Sequence, residues 1–164
     1  MKVKAGEITG LLRKLDPRFR AILIYGPNEG LVRERADAIA RLVVDDLRDP
    51  FNVASLTVAN LKEDPARLTD EAAAISMLGG QRVVRVDGAV DSVAGPLRNF
   101  LEDPKGDGLV IIAAGDLPPR SDLRKTVEGA ANAAAIPCYG DDARALTDLI
   151  HDSLRGHGLD VDGD

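Results

Sequence analysis

Apolar residues fall along this chain in two rhythms. Short unbroken runs alternate with longer stretches in which they return every three or four positions. The run Ala21-Ile22-Leu23-Ile24-Tyr25 is too short for a helix and carries no polar residue, so it predicts a buried strand. It runs into Gly26-Pro27-Asn28-Glu29-Gly30, a turn. Val32, Ala36, Ile39, Val43 and Leu47 then step by four, three, four and four, the spacing of one face of a helix over 31–47. A second strand is expected over 52–58. A helix is expected over 65–78, opened by Pro65 in its first turn and stopped by Gly79-Gly80.

The alternation continues. Residues 82–87 read as a strand, with Gly88 opening a turn. Asp91 is the expected cap of a helix whose inner face carries Val93, Leu97, Phe100 and Leu101. Pro104 to Gly108 form a loop, 109–113 a strongly buried strand, 121–131 a helix and 134–136 a short last strand. Strand and helix alternate four times before that last strand. The pattern predicts an α/β fold: a five-stranded parallel sheet with helices on both faces and right-handed crossovers. This unit is expected to occupy 1–139. After Tyr139 a new amphipathic pattern begins, with Leu146, Leu149, Ile150 and Leu154 on one face, so 140–164 is expected to open a second, helical domain.

Composition fits that architecture. Aromatic residues make up only 3% of the 164, with no Trp, so the core must be built from aliphatic side chains. Such a core suits helices packed on a parallel sheet. The net charge of -6, without stacking aromatics, argues against a dedicated nucleic-acid module. No run reaches the roughly 20 apolar residues that span a bilayer, and nothing at the start has the make-up of a signal peptide. The lone Cys138 cannot form an internal disulfide. A cytoplasmic protein without membrane contact is expected.

The first strand-helix turn lies where a phosphate-binding loop would be. Such a loop reads G-x-x-x-x-G-K followed by Ser or Thr: glycine for backbone approach, lysine for the terminal phosphates, hydroxyl for magnesium. Counted from Gly26, the three positions hold Leu31, Val32 and Arg33. None can do the required work, and Glu29 places negative charge where phosphate would sit. The strand over 82–87 ends in Asp87-Gly88 rather than an acidic pair. The strand over 109–113 leads into Ala113-Ala114-Gly115, with no polar group to sense a γ-phosphate. Gly26 to Gly30 is therefore expected to be a degenerate phosphate loop, with no cofactor, no metal and no hydrolysis. The rival readings are an ATP-binding P-loop ATPase and another non-catalytic α/β interaction domain. A receiver or dinucleotide domain lacks its acidic cluster or its G-x-G-x-x-G.

Other candidates are weaker. His151 and His157 are poorly spaced for a metal, and Cys138 has no triad partner nearby and is expected to be buried. Arg120, Arg124 and Lys125 form a small basic cluster at a helix start, open to a subunit or a DNA backbone. On the helix over 65–78, Leu68, Ala72 and Ile75 share one face. At about 100° per residue Met77 falls nearly opposite it and Leu78 on its flank, so Met77 should be exposed.

Three segments resemble one family, the delta subunit of the bacterial DNA polymerase III clamp loader. They are Ile22-Leu23-Ile24-Tyr25-Gly26-Pro27-Asn28-Glu29-Gly30-Leu31-Val32-Arg33-Glu34-Arg35, Ser76-Met77-Leu78-Gly79-Gly80-Gln81-Arg82-Val83-Val84, and Pro119-Arg120-Ser121-Asp122-Leu123-Arg124-Lys125. The resemblance covers residues 8–155 in order. It implies a P-loop NTPase or AAA+-like domain with a degenerate nucleotide site, followed by the start of a helical lid. It implies a role in DNA replication: binding and opening the sliding clamp, the beta subunit, without hydrolysing ATP. The chain would then be a non-catalytic subunit of the polymerase III holoenzyme. The clamp-binding residues it implies are Ser76, Met77, Leu78, Gly79 and Gly80. Further implied partners are the gamma or tau and delta prime subunits, with DNA reached through the assembled complex. The family often carries an aromatic where this chain has Leu78.

Overall fold

The computed structural model describes residues 1–75 and 79–139. Its elements run α1 (Ala5–Arg13), β1 (Ala21–Tyr25), α2 (Glu29–Arg41), β2 (Val53–Leu56), α3 (Val58–Glu63), α4 (Arg67–Ala73), β3 (Val83–Ala89), α5 (Ala94–Glu102), β4 (Leu109–Ala114), α6 (Asp122–Glu128) and β5 (Ala133–Pro137). The five strands form one parallel sheet in the order β2-β3-β4-β1-β5.

Alternation along the strands sorts side chains onto two faces. Ala21, Leu23 and Tyr25 of β1 join Val110, Ile112 and Ala114 of β4 in a cluster covered by α3, α4, α5 and α6. Ile22 and Ile24 join Leu109, Ile111 and Ala113 in a second cluster covered by α1 and α2. Both faces of β1 and β4 are buried, which is why these runs read as continuously apolar. The expected parallel α/β sandwich is therefore present.

Helix ends depart from the expectations. The helix over 31–47 begins earlier, at Glu29, because Asn28 caps it by accepting from the Leu31 amide at 3.2 Å, and its regular part ends at Arg41. The strand over 52–58 is only Val53–Leu56. Thr57 then caps α3 in a reciprocal box with Asn60, each side chain accepting from the other's backbone N–H. The helix over 65–78 ends at Ala73, since Ala74 is extended (φ -64°, ψ 142°). Ile75 is consequently 91% exposed rather than aligned with the buried Leu68 and Ala72. The helical phase on which the Met77 expectation rests does not reach Ile75.

Asp91 corrects another expectation. It opens a short 3-10 turn (Asp91–Val93) with no side-chain cap of its own. Its carboxylate instead accepts from the Ser121 hydroxyl and from the Leu123 amide at 3.2 Å, fastening the start of α6. Val93, Leu97, Phe100 and Leu101 are buried as their spacing implies. The helix over 121–131 is Asp122–Glu128, capped by Ser121. The second-domain expectation for 140–164 lies outside the described residues.

Candidate functional site

The strand order places a switch point between β1 and β4. The helix after β1 packs on one face of the sheet and the helix after β4 on the other, so a cleft opens at their carboxyl ends. There a depression of about 400 Å³ is lined by Glu29, Gly30, Val32 and Arg33 from α2, by Asp87 and Gly88 from β3, and by Ala113 to Gly115 from β4. All three segments singled out in the sequence thus meet at one place.

Their chemistry does not suit a phosphate chain. Val32, at the lysine position, is 3% exposed and belongs to the core beneath α2. Leu31 packs partly against the same cluster. The Leu31 amide is taken by Asn28 Oδ1, and the Val32 amide donates to the Asn28 carbonyl at 3.1 Å. Two carboxylates, Glu29 and Asp87, face one guanidinium, Arg33, around the depression. Asp87 itself lies 3.6 Å from Arg85 Nη2, whose Nη1 is paired with Asp37 of α2.

The glycines of this region serve packing. A Cβ on Gly26 would stand 2.1 Å from the Cys138 carbonyl oxygen, so the turn is glycine because β5's exit crosses it. Gly26 N donates to Gly115 O at 3.1 Å and Cys138 N to Tyr25 O at 2.8 Å, which ties the ends of β1, β4 and β5 together. A Cβ on Gly30 would meet nothing nearer than Asn28 Oδ1 at 3.4 Å. Gly88 has φ +64° inside a register shift between Val86 and Ala89, so it forms a bulge within β3 rather than the turn after it. Cys138 is buried, as expected, and burial pushes its thiol up while the Arg35 guanidinium, Nη1 at 3.0 Å from Sγ, opposes this.

A second region surrounds the segment that the resemblance assigns to clamp binding. Ser76, Met77 and Leu78 lie outside the described residues; Gly79 and Gly80 are described, with φ +78° and +89° and open space around both. The flanks are firmly anchored. Arg82 Nη1 donates to the Glu71 carbonyl at 2.9 Å and Nη2 pairs with its carboxylate at 3.1 Å. Gln81 Nε2 donates to the Asp107 carbonyl at 2.8 Å. A Cβ on Gly106 or Gly108 would stand 2.6–2.7 Å from Ala72 or Ala73 backbone atoms, so the 103–108 loop closes directly onto the end of α4. Positive φ makes Gly79 and Gly80 hard to replace.

The basic cluster divides. Arg120 and Lys125 are exposed. Arg124 is turned inward: Nε pairs with Glu128, Nη1 donates to the Leu117 carbonyl at 3.0 Å, and the guanidinium lies 5.1 Å from the centre of the Tyr25 ring. Tyr139 packs edge-on against Tyr25 and donates to Asp116 at 2.9 Å; burial and that bond push its phenol up to about 12. The hydrophobic pattern as read above assigns no element before Ala21, yet α1 lies at Ala5–Arg13. Ile8, Leu11, Leu12 and Leu15, recurring at helical intervals before Pro17, were the available signal for α1.

The strand order and the turn at the end of β1 define a parallel α/β domain with a cleft at its switch point. Among solved structures, the chain resembles the DNA clamp loader delta protein of Bacillus subtilis at 20% identity and a TM-score of 0.60, covering 94% of this chain and 48% of that one. It also resembles a DNA polymerase III gamma subunit-related protein of Thermotoga maritima at 13% identity and a TM-score of 0.56, covering 92% and 50%. The chain thus spans about half the length of either. No protein-family model matches it, and no curated protein matches it in sequence. At these identities the likeness establishes the fold. Among the described residues no helix is long and apolar enough to cross a membrane, and no group of acidic, His or Cys side chains could hold a metal.

Proposed function

We propose that this chain acts in DNA replication as a clamp-loader delta-type subunit, which grips the sliding clamp and opens it without hydrolysing ATP itself. The observation that carries this reading is the pairing of two features. The switch-point cleft lies where such a fold would hold a nucleotide but has the buried, apolar Val32 at the lysine position. Residues 76–80 lie between the exposed Ile75 and the anchored side chains of Gln81 and Arg82 beside the end of α4. The first feature removes catalysis. The second leaves the apolar Ile75 open to a partner.

In this reading Met77 and Leu78 enter an apolar pocket on the clamp. Burying one such side chain is worth roughly 1.5–3 kcal/mol. Gly79 and Gly80 let the segment turn back into β3. Grip on one face of the clamp weakens a ring interface, while ATP bound to other loader subunits drives the cycle. Arg120 and Lys125 face outward for a neighbouring subunit or for DNA in the assembled complex; Arg124 contributes by holding α6 in place.

Equilibrium binding to the purified cognate clamp tests this proposal. Micromolar or tighter binding is expected. Met77→Ala plus Leu78→Ala should weaken it by at least about a hundredfold, the equivalent of about 2.7 kcal/mol. Absence of binding by the unaltered chain at tens of micromolar would refute the assignment, as would an unaffected double variant.

A further inference from the structure

At the amino end of the sheet, next to the 79–81 segment, lies a groove of about 600 Å³ that no part of the proposed function uses. Its walls come from the end of α1, the approach to β1 and the end of α2, and it closes against Gln81, Gly106 and Asp107. Leu15, Leu42 and Val43 supply apolar lining, and Leu42 is 42% exposed. Arg13, Lys14 and Arg20 supply charge, and Asp107 is the one carboxylate lining the groove.

Three cations against one carboxylate make a local positive site on a chain whose net charge is -6. Among the described residues, no carboxylate lies at ion-pair distance from any of the three. Arg13 and Lys14 are both exposed. Arg20 Nη2 donates to neutral carbonyls, Lys105 O at 3.0 Å and Gly108 O at 3.3 Å, its guanidinium lies 5.4 Å from the centre of the Phe100 ring, and its Nε is buried without a hydrogen-bond partner. Burial pulls its guanidinium below the usual value, with only Asp107 opposing. Helix-end placement of Arg13 accounts for one positive charge near the α1 carbonyls, but not for three converging on an apolar floor.

We infer that this groove takes an acidic segment of the sliding clamp carrying an apolar side chain, as a second contact beside Met77 and Leu78. The inference rests on the clamp-binding reading above. Continuity supports it: Gln81 lines the groove and follows Gly79-Gly80 directly, so one partner surface can reach both. Charge complementarity sets its chemistry, since carboxylates meet Arg13, Lys14 and Arg20 while an aliphatic tip meets Leu42 and Val43. A nucleic-acid occupant is disfavoured, because Phe19, the only aromatic lining the groove, is 6% exposed and offers no ring face for stacking.

The test compares clamp binding, over a salt series, by the unaltered chain, by Arg13→Glu plus Lys14→Glu, and by the milder Arg13→Gln plus Lys14→Gln, with circular dichroism as the folding check. Charge reversal should weaken binding about tenfold at low salt and flatten its salt dependence, with the Gln variant intermediate. If the unaltered chain binds and both variants match it, the groove assignment is overturned while the clamp reading stands. If the unaltered chain does not bind, both fall. Loss of DNA affinity in the variants with clamp affinity unchanged would also overturn the inference.

Discussion

Replacing Gly26 by Ala separates two explanations of the turn at the end of β1. In a phosphate-wrapping loop, glycine is present for a ligand, and a methyl group costs little while the site is empty. Here the added Cβ would stand 2.1 Å from the Cys138 carbonyl oxygen and 2.9 Å from its carbon. Ordinary contact needs about 3.4 Å, so backbone must move by more than an ångström. That backbone is held by Cys138 N donating to Tyr25 O at 2.8 Å. Overpacking of this kind costs about 1–3 kcal/mol, and an opposing backbone puts it at the upper end. The restricted unfolded chain returns about 0.4–1 kcal/mol, leaving a net loss of about 2 kcal/mol. With a urea dependence of about 2 kcal/mol per molar, the unfolding midpoint should fall by about 1 M. Gly30→Ala is the control: its Cβ meets only Asn28 Oδ1 at 3.4 Å, within a helix, so it should stabilise by about 0.5 kcal/mol. Equal midpoints for Gly26→Ala and the unaltered chain would refute the packing argument.

Three further outcomes are expected. Hydrogen bonds from Ser121 and Leu123 hold the Asp91 carboxyl below its ordinary value, so its contribution is present above the unfolded pKa of about 4 and is lost as pH falls through the lower folded value. Asp91→Asn should therefore be less stable than the unaltered chain at neutral pH, with the gap narrowing in acid; a gap independent of pH would contradict this. The chain has two tyrosines and no Trp, and both phenols are raised, Tyr25 by burial and Tyr139 to about 12. Ultraviolet absorbance should show less than the full two-phenol change near pH 10 in the folded protein, and the Tyr139 contribution to stability should decline between about pH 10 and 12; a full-amplitude transition near 10 would rule this out. Finally, magnesium-ATP at about 1 mM should leave the thermal midpoint unmoved, because a ligand that does not bind the native state cannot shift it; a rise of several degrees would restore the nucleotide-binding alternative.

The strands were legible because burial on both faces leaves a signature that depends on the segment alone. Ala21–Tyr25 has the same limits in sequence and structure. Helix ends were not legible, because distant residues set them. The end of α4 at Ala73 follows from Gly106 and Gly108 closing on it and from Arg82 bonding to Glu71. Periodicity running through Ile75 knows nothing of these. Asp91 has the composition of a local cap, yet its acceptors serve a helix 30 residues on. Thr57 and Asn60 spell the capping box of α3 in the sequence, but the apolar Val58 extends the expected strand past it. At the cleft, loss of the P-loop lysine was read from Val32 alone. The reason Gly26 persists without it, contact with Cys138, needed the fold.

The central claim is that the 75–81 segment is where the partner binds. Hydrogen exchange of the full chain, followed with and without the purified cognate clamp, tests it most directly. The free chain should exchange faster at 75–80 than in α2. Clamp binding should slow exchange across 75–81, while the depression beside Gly30 and Asp87 stays unchanged. Protection confined to that depression, or to the α6 face at Arg120 and Lys125, with 75–81 unaffected, would contradict the account.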